Sequence, residues 1–386
     1  MTSPASTSGR MAEYRPELRP GVLLSGELLH GARAVHLVKN TESGKSFEVG
    51  VKEHFLISRM DGTRSLGEIG TDYARCYGRR LGDANWQQVL GQLGARGLLT
   101  GASAGSPKAA SASSEPDSGA ESAEEPPRPN NALRGSISLT ADADATVARL
   151  YRATGFLLAA PWMVPLAVLV LAMETAALVQ LTDLLRGVRE VFRNPVLLTG
   201  VAGLLWVSTA LHELAHGVVA RHYGGRVTDI GLRWRLPSVI MYCTVDNYLY
   251  LSRRRHQIAT ALAGAAMNLL FLLPFGAVWL LAPLDDATDD ALAGLVFLGT
   301  LQALAMLVPV PPLDGYKIVG QALGVTELAV SSRAYLGLKL RRDPAAAQYP
   351  RRARVAYTGY GIGSMLVLCA LVAALGLLVH QLLTLS

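Results

Sequence analysis

The sequence predicts a mainly α, polytopic helical membrane protein with a small β segment near its candidate site. An α+β, winged-helix-like soluble domain is expected ahead of it. Three observations carry that expectation. Half of the 386 residues are hydrophobic and only 17% are charged, with the apolar ones gathered after about residue 150. Five apolar runs in that region approach the roughly 20 residues needed to cross a bilayer. The first hundred residues instead mix short β-alternating and helix-periodic segments of the kind that close a small globular core. The net charge of +6 does not imply nucleic acid, because most basic residues flank apolar runs, where cytoplasmic loops favour Lys and Arg. Cys76, Cys243 and Cys369 are scattered without a CxxC pair, which argues against a disulfide framework or a thiolate metal site.

Residues 1–14 are polar and Pro-rich, and are expected to be disordered. Residues 1–20 contain no apolar core, so no cleavable signal peptide is expected and the amino terminus should stay in the cytoplasm. Within 15–101, Ala34–Val38 and Ser46–Val49 flank a Glu42-Ser43-Gly44-Lys45 turn and predict a β-hairpin. Helical periodicity follows in Glu53–Met60, Ser65–Tyr77 and Ala84–Arg96, with Ser65 and Glu68 spaced as a capping box. Residues 102–131 are Ser, Ala, Gly, Pro and Glu with almost no large apolar side chain, and read as a flexible linker with a mean reach of about 30 Å.

The membrane-embedded domain is expected over 132–386, with spans at 155–181, 195–220, 257–283, 291–312 and 355–384. The second-to-third loop carries seven Lys and Arg and the fourth-to-fifth carries eight, against three in the first and none in the third. That bias places the second and fourth connecting loops in the cytoplasm. The chain then reads as a multi-pass cell-membrane protein, amino terminus inside and carboxyl terminus outside.

The second predicted span contains His212-Glu213-Leu214-Ala215-His216. Ionisable residues at membrane depth are expensive and mark function by default. Two histidines four residues apart share one helix face, the spacing of two ligands to one Zn²⁺. Glu213 falls beside them, where a carboxylate can act as general base towards zinc-activated water. A catalytic zinc needs a third protein ligand and an open position. Asp314, in Val308-Pro309-Val310-Pro311-Pro312-Leu313-Asp314-Gly315, is the candidate. The prolines should end the fourth span, Gly315 should permit a sharp turn, and Asp314 should lie at that span's cytoplasmic end, level with the histidines. The plain alternative for Asp314 is a helix-ending turn residue.

These motifs, with Ala263-Gly264-Ala265-Ala266-Met267-Asn268-Leu269 between them, resemble the site-2-type intramembrane zinc metalloproteases over residues 195 to about 320. The resemblance implies one Zn²⁺ per chain, ligated by His212, His216 and Asp314, with Glu213 as catalytic base and Asn268 near the active site. Asn268 read without that resemblance is a polar residue bonding a neighbouring helix. Where the family often carries Asn ahead of its Asp-Gly motif, this chain has Met306. Asp314-Gly315-Tyr316, with Pro237 and Tyr242 ahead of an Arg-rich third-span entry, resembles the peptide zinc metalloprotease branch. In the front domain, Glu53–Ile57, Met60–Ser65 and Leu93–Leu99 are similar to small PqqD-like domains that recognise leader peptides during ribosomal peptide maturation, pairing them as an added strand.

The resulting expectation is an intramembrane endopeptidase that removes the leader from a ribosomally synthesised precursor bound through its front domain. The bilayer is a further partner, with peptide-modifying enzymes or an exporter alongside and no nucleic acid. The alternatives are a regulatory protease that cuts a membrane-bound anti-sigma factor, and an inactive zinc-binding scaffold for peptide export. The segment Gly225–Tyr250 is expected to form strands beside the site. His222 and His256 are expected to meet headgroups or water, Cys243 and Cys369 to be packing residues, and Gly359 and Gly363 to form a packing face in the last span. Arg75, Arg79 and Arg80 cluster near one helix, but no wider basic stripe supports DNA binding.

Overall fold

A computed structural model describes residues 11–100, 131, 133–236 and 238–384. The chain divides into two compact units, Met1–Pro127 and Arg128–Ser386. The expected linker, apart from Asn131, lies outside the described residues, as do residues 1–10 and Pro237. Met11 packs against the core of the first unit.

The first unit is an antiparallel sheet followed by three helices. Strands β1 (Val22–Leu24) and β2 (Leu28–His30) pair with opposite ends of the long β3 (Arg33–Asn40). The other edge of β3 pairs with β4 (Ser46–Gly50), Val38 facing Phe47. The hairpin turn closes because the Asn40 side-chain oxygen accepts from the backbone N–H groups of Glu42 and Ser43, the self-bonding that makes Asn a turn residue. Helices α1 (Val51–Ile57), α2 (Leu66–Tyr77) and α3 (Asp83–Ala95) then cover the sheet. The Ser65 hydroxyl accepts from the Glu68 N–H and the Glu68 carboxylate accepts from the Ser65 N–H, so two orphan donors of α2 are satisfied at once. Gly78 ends α2 in the left-handed conformation that glycine adopts without strain. Val38, Ile57, Met60, Leu66, Ile69 and Leu98 form the dry centre of this unit.

The second unit is mostly helical. Helices α5 (Ala160–Val179), α7 (Pro195–His222), α8 (Arg254–Leu281), α9 (Asp286–Met306) and α12 (Arg351–Thr384) each hold a stretch long and apolar enough to cross a membrane. Around them stand α4 (Ala143–Thr154), α6 (Leu181–Arg193), α10 (Asp314–Leu323) and α11 (Leu328–Leu340). Strands β5 (Arg134–Ser138), β6 (Val227–Arg235) and β7 (Ser238–Val245) make an antiparallel sheet in that order, with β7 at an edge. The inner face of the sheet packs Ile230, Met241 and Cys243 against Val147 of α4 and Leu214 and Val218 of α7. Asp144 fixes this corner by accepting from Arg221 at 2.8 and 3.1 Å and from the Val227 N–H.

Several expectations change. The first apolar run opens with a 3₁₀ turn, Gly155–Leu158, and its helix starts only at Ala160, just before Pro161, where proline's missing N–H costs nothing. The fourth helix ends at Met306, and the following stretch is not a plain loop: it holds α10 and α11. In the last apolar helix a Cβ at Gly359 or Gly363 would meet nothing within 4 Å, so neither packs against another described element of this chain. The glycine that packs is Gly361, whose missing Cβ leaves room for Leu336 of α11.

Candidate metal centre

Helix α7 presents His212 and His216 on one face, their ring centroids 4.8 Å apart and nearly perpendicular. Opposite them stands Asp314. Its Oδ2 lies 2.9 Å from His212 Nε2 and 3.0 Å from His216 Nε2, and the two Nε2 atoms are 3.2 Å apart. All three residues are buried. Ligands held by one tetrahedral zinc at 2.0–2.2 Å are separated from each other by roughly 3.3 Å, so the three atoms stand close to the spacing such an ion requires. Among the described residues no other group of three or more His, Cys, Asp or Glu forms such a cluster.

Asp314 reaches this position differently from the expectation. It does not end the fourth span; it is the first residue of α10, following a bent segment from Leu307 to Leu313. A carboxylate there also meets the positive end of the helix. Gly315 is helical rather than a sharp turn. Its lack of a side chain matters because a Cβ would collide with the backbone carbonyl of Leu307, so glycine lets the chain fold back on itself behind Asp314. Lys317, one turn along α10, donates to Asp314 Oδ1 at 2.9 Å and leaves Oδ2 to the histidines. Burial alone would raise the Asp314 carboxyl. The hydrogen bonds from His212 and His216, then the charges of His216 and Lys317, outweigh it and hold the group well below the usual carboxylate range.

Helix α8 aligns both rings. His216 Nδ1 lies 2.7 Å from the carbonyl oxygen of Thr260. A carbonyl only accepts, so Nδ1 carries the proton and Nε2 is the ring atom turned towards the carboxylate. Nε2 of each ring and Oδ2 of Asp314 converge on one point, which a shared proton or a cation held by all three would occupy, and this convergence fits the residues to a metal ion. Asn268 is buried, with its amide nitrogen 3.2 Å from His212 Nδ1 and its oxygen accepting from Ser208 Oγ at 3.0 Å. The amide can present either end. Turned over, its oxygen accepts from His212 Nδ1–H, its nitrogen donates to Ser208, and His212 Nε2 is freed as a ligand. The backbone of α8 comes this close because of Gly264, where a Cβ would stand 2.5 Å from Cε1 and Nε2 of His212.

Glu213 is half-buried and has no hydrogen-bond or ion-pair partner among the described residues. It stands on the side of α7 towards β7: burial first, and then the Glu213 charge, push the Cys243 thiol up to about 12. Cys243 is thus an inert packing group. His222 pairs with the Tyr151 hydroxyl at 2.9 Å and His256 stacks on Tyr223 at 4.2 Å, so neither joins the cluster. A second layer around the cluster, made of Ser208, the Thr260 carbonyl and Lys317, was not expected from the sequence. Lys317 was open to detection, being three residues from Asp314 on one helix. The Thr260 contact is made by backbone and leaves no side-chain signal.

No family model, no curated protein and no solved structure matches this chain.

Proposed function

We propose that this chain is a membrane-embedded zinc endopeptidase that removes the leader of a ribosomally made precursor peptide. The observation that carries the reading is the buried meeting of His212, His216 and Asp314, two of them on a helix long and apolar enough to cross a bilayer, with a partnerless carboxylate one residue away. The outward faces of the apolar helices support insertion: Ile362, Met365, Leu366, Val372 and Leu375 of α12 are all exposed, an arrangement stable against lipid and not against water. The distribution of Lys and Arg supports an amino terminus inside and a carboxyl terminus outside.

A zinc ion at such a site supplies a Lewis acid for the scissile carbonyl and lowers the cost of making hydroxide from water at neutral pH. His212, His216 and Asp314 would hold it. Glu213, free of other bonds, takes the proton from the attacking water and passes it to the leaving amine. Edge strand β7 runs beside this region and offers its outer side to a substrate in extended form. In the front unit, β4 is likewise an edge, suited to receive a leader as an added strand.

The test is to incubate detergent-solubilised full-length enzyme with candidate precursors and measure product masses. Cleavage that frees a leader supports the reading, whereas cutting only of a membrane-bound regulator favours the regulatory alternative. Glu213→Ala should keep zinc and lose cleavage, and Asp314→Ala should lose both. Full cleavage by Glu213→Ala removes the assigned base, and full zinc content in Asp314→Ala removes the third ligand.

A further inference from the structure

Between β7 and α8 a short loop carries Tyr248, which no step above uses. The loop is firmly held. Asn247 is buried and its side-chain oxygen accepts from the Arg226 N–H at 2.9 Å. Gln257, buried in the first turn of α8, donates its amide to the carbonyls of Leu249 at 3.0 Å and Leu251 at 3.2 Å. Tyr248 sits inside that frame in a single 3₁₀ turn, Tyr248–Tyr250. Its hydroxyl is buried and has no hydrogen-bond partner among the described residues. A buried hydroxyl left unpaired weakens a fold, and native structures keep few of them without a use. Gln257 lies one turn before Thr260, whose carbonyl is bonded to His216, so the loop is anchored one turn from the ring that meets Asp314. Burial first, and that carboxylate second, raise its pKa, so the group stays a protonated donor at any working pH.

A buried donor with nothing to donate to, on a loop anchored one helical turn from the backbone contact of His216, matches one requirement of peptide hydrolysis. The carbonyl oxygen gains negative charge as the bond is attacked, and a fixed donor aimed at it lowers the barrier more than a mobile water does. We propose that Tyr248 is a further catalytic residue, its phenol donating a hydrogen bond to the carbonyl oxygen of the peptide bond being cut. The phenol keeps its proton throughout. This rests on the peptidase reading given above.

Tyr248→Phe in the full-length enzyme tests the proposal, because it removes the hydroxyl and keeps the ring. The expected result is a fall in kcat on the order of 10²–10³-fold, with KM and zinc content unchanged and Tm equal or raised, since the hydroxyl has no protein partner to lose and its burial is unfavourable. A phosphinic analogue of the cleaved bond should bind Tyr248→Phe more weakly than the wild type. A kcat equal to the wild type overturns the proposal and leaves the peptidase reading intact. Parallel loss of zinc and Tm overturns it as well, by making Tyr248 structural. A wild-type enzyme that holds zinc and cuts no peptide refutes the peptidase reading and this proposal with it.

Discussion

Gly264→Ala is the sharpest test of how the proposed metal centre is assembled. The added Cβ would stand 2.5 Å from Cε1 and Nε2 of His212, against an ordinary carbon contact of roughly 3.5 Å. Either the imidazole or α8 must therefore yield by about 1 Å. Neither has room, because His212 is tied through Nδ1 to Asn268, itself buried and bonded to Ser208. Zinc–ligand bonds tolerate displacements of only about 0.2 Å, so the strain falls on the ligand set. The expected loss of zinc affinity is on the order of 10–100-fold, or about 1.4–2.8 kcal/mol. The assay is competition against a chelator of known affinity on purified protein in detergent. Gly200→Ala is the control: it lies on α7 with nothing within 4 Å of the added carbon, and should bind zinc as the wild type does. Wild-type affinity in Gly264→Ala would refute the claim that His212 is seated by close approach of α8.

Two further outcomes concern the front unit. Burial first, then the charges of His36 and Arg59, lower His54 to about 4 from 6.5. The unfolded chain therefore binds more protons between those values, so the contribution of His54 is whole above pH 6.5 and is lost as pH falls towards 4. Protection against hydrogen exchange across residues 33–57, corrected for the intrinsic rate, should fall as pH drops through that window, and His54→Gln should remove that part of the pH dependence; an unaltered profile would count against buried His54, stacked on His36 with centroids 3.6 Å apart, as its source. Ser65→Ala breaks the capping box and should destabilise this unit by about 1 kcal/mol, seen as faster exchange over α2; no change would mean that the cap is made by water.

Much of this architecture was legible in the residues. The front helices begin and end within a few positions of the expected bounds, because Ser65, Gly78 and Gly82 are local signals that tertiary packing does not override. The five apolar helices were legible for a similar reason: length and hydropathy are additive along the chain. Short elements were harder. Strands β1 and β2 have three residues each and exist only through pairing with β3. Helices α10 and α11 were hidden by their Arg and Lys residues, which read as loop charge. Helix α6 was overlooked although Leu184, Gly187, Val188 and Val191 recur at helical spacing and are buried. At the candidate metal centre the three clustered side chains could be named from their types and spacing. What could not be read was Asp314 opening a new helix, since that depends on the chain doubling back at Leu307, a contact between backbone atoms.

The bond from His216 to the Thr260 carbonyl has a genetic consequence. An alanine scan would leave it untouched, because every substitution at that position except one that bends the helix keeps the same oxygen. The proton on Nδ1 of His216 is thereby written into the path of the main chain, and selection on side chains alone cannot erase it.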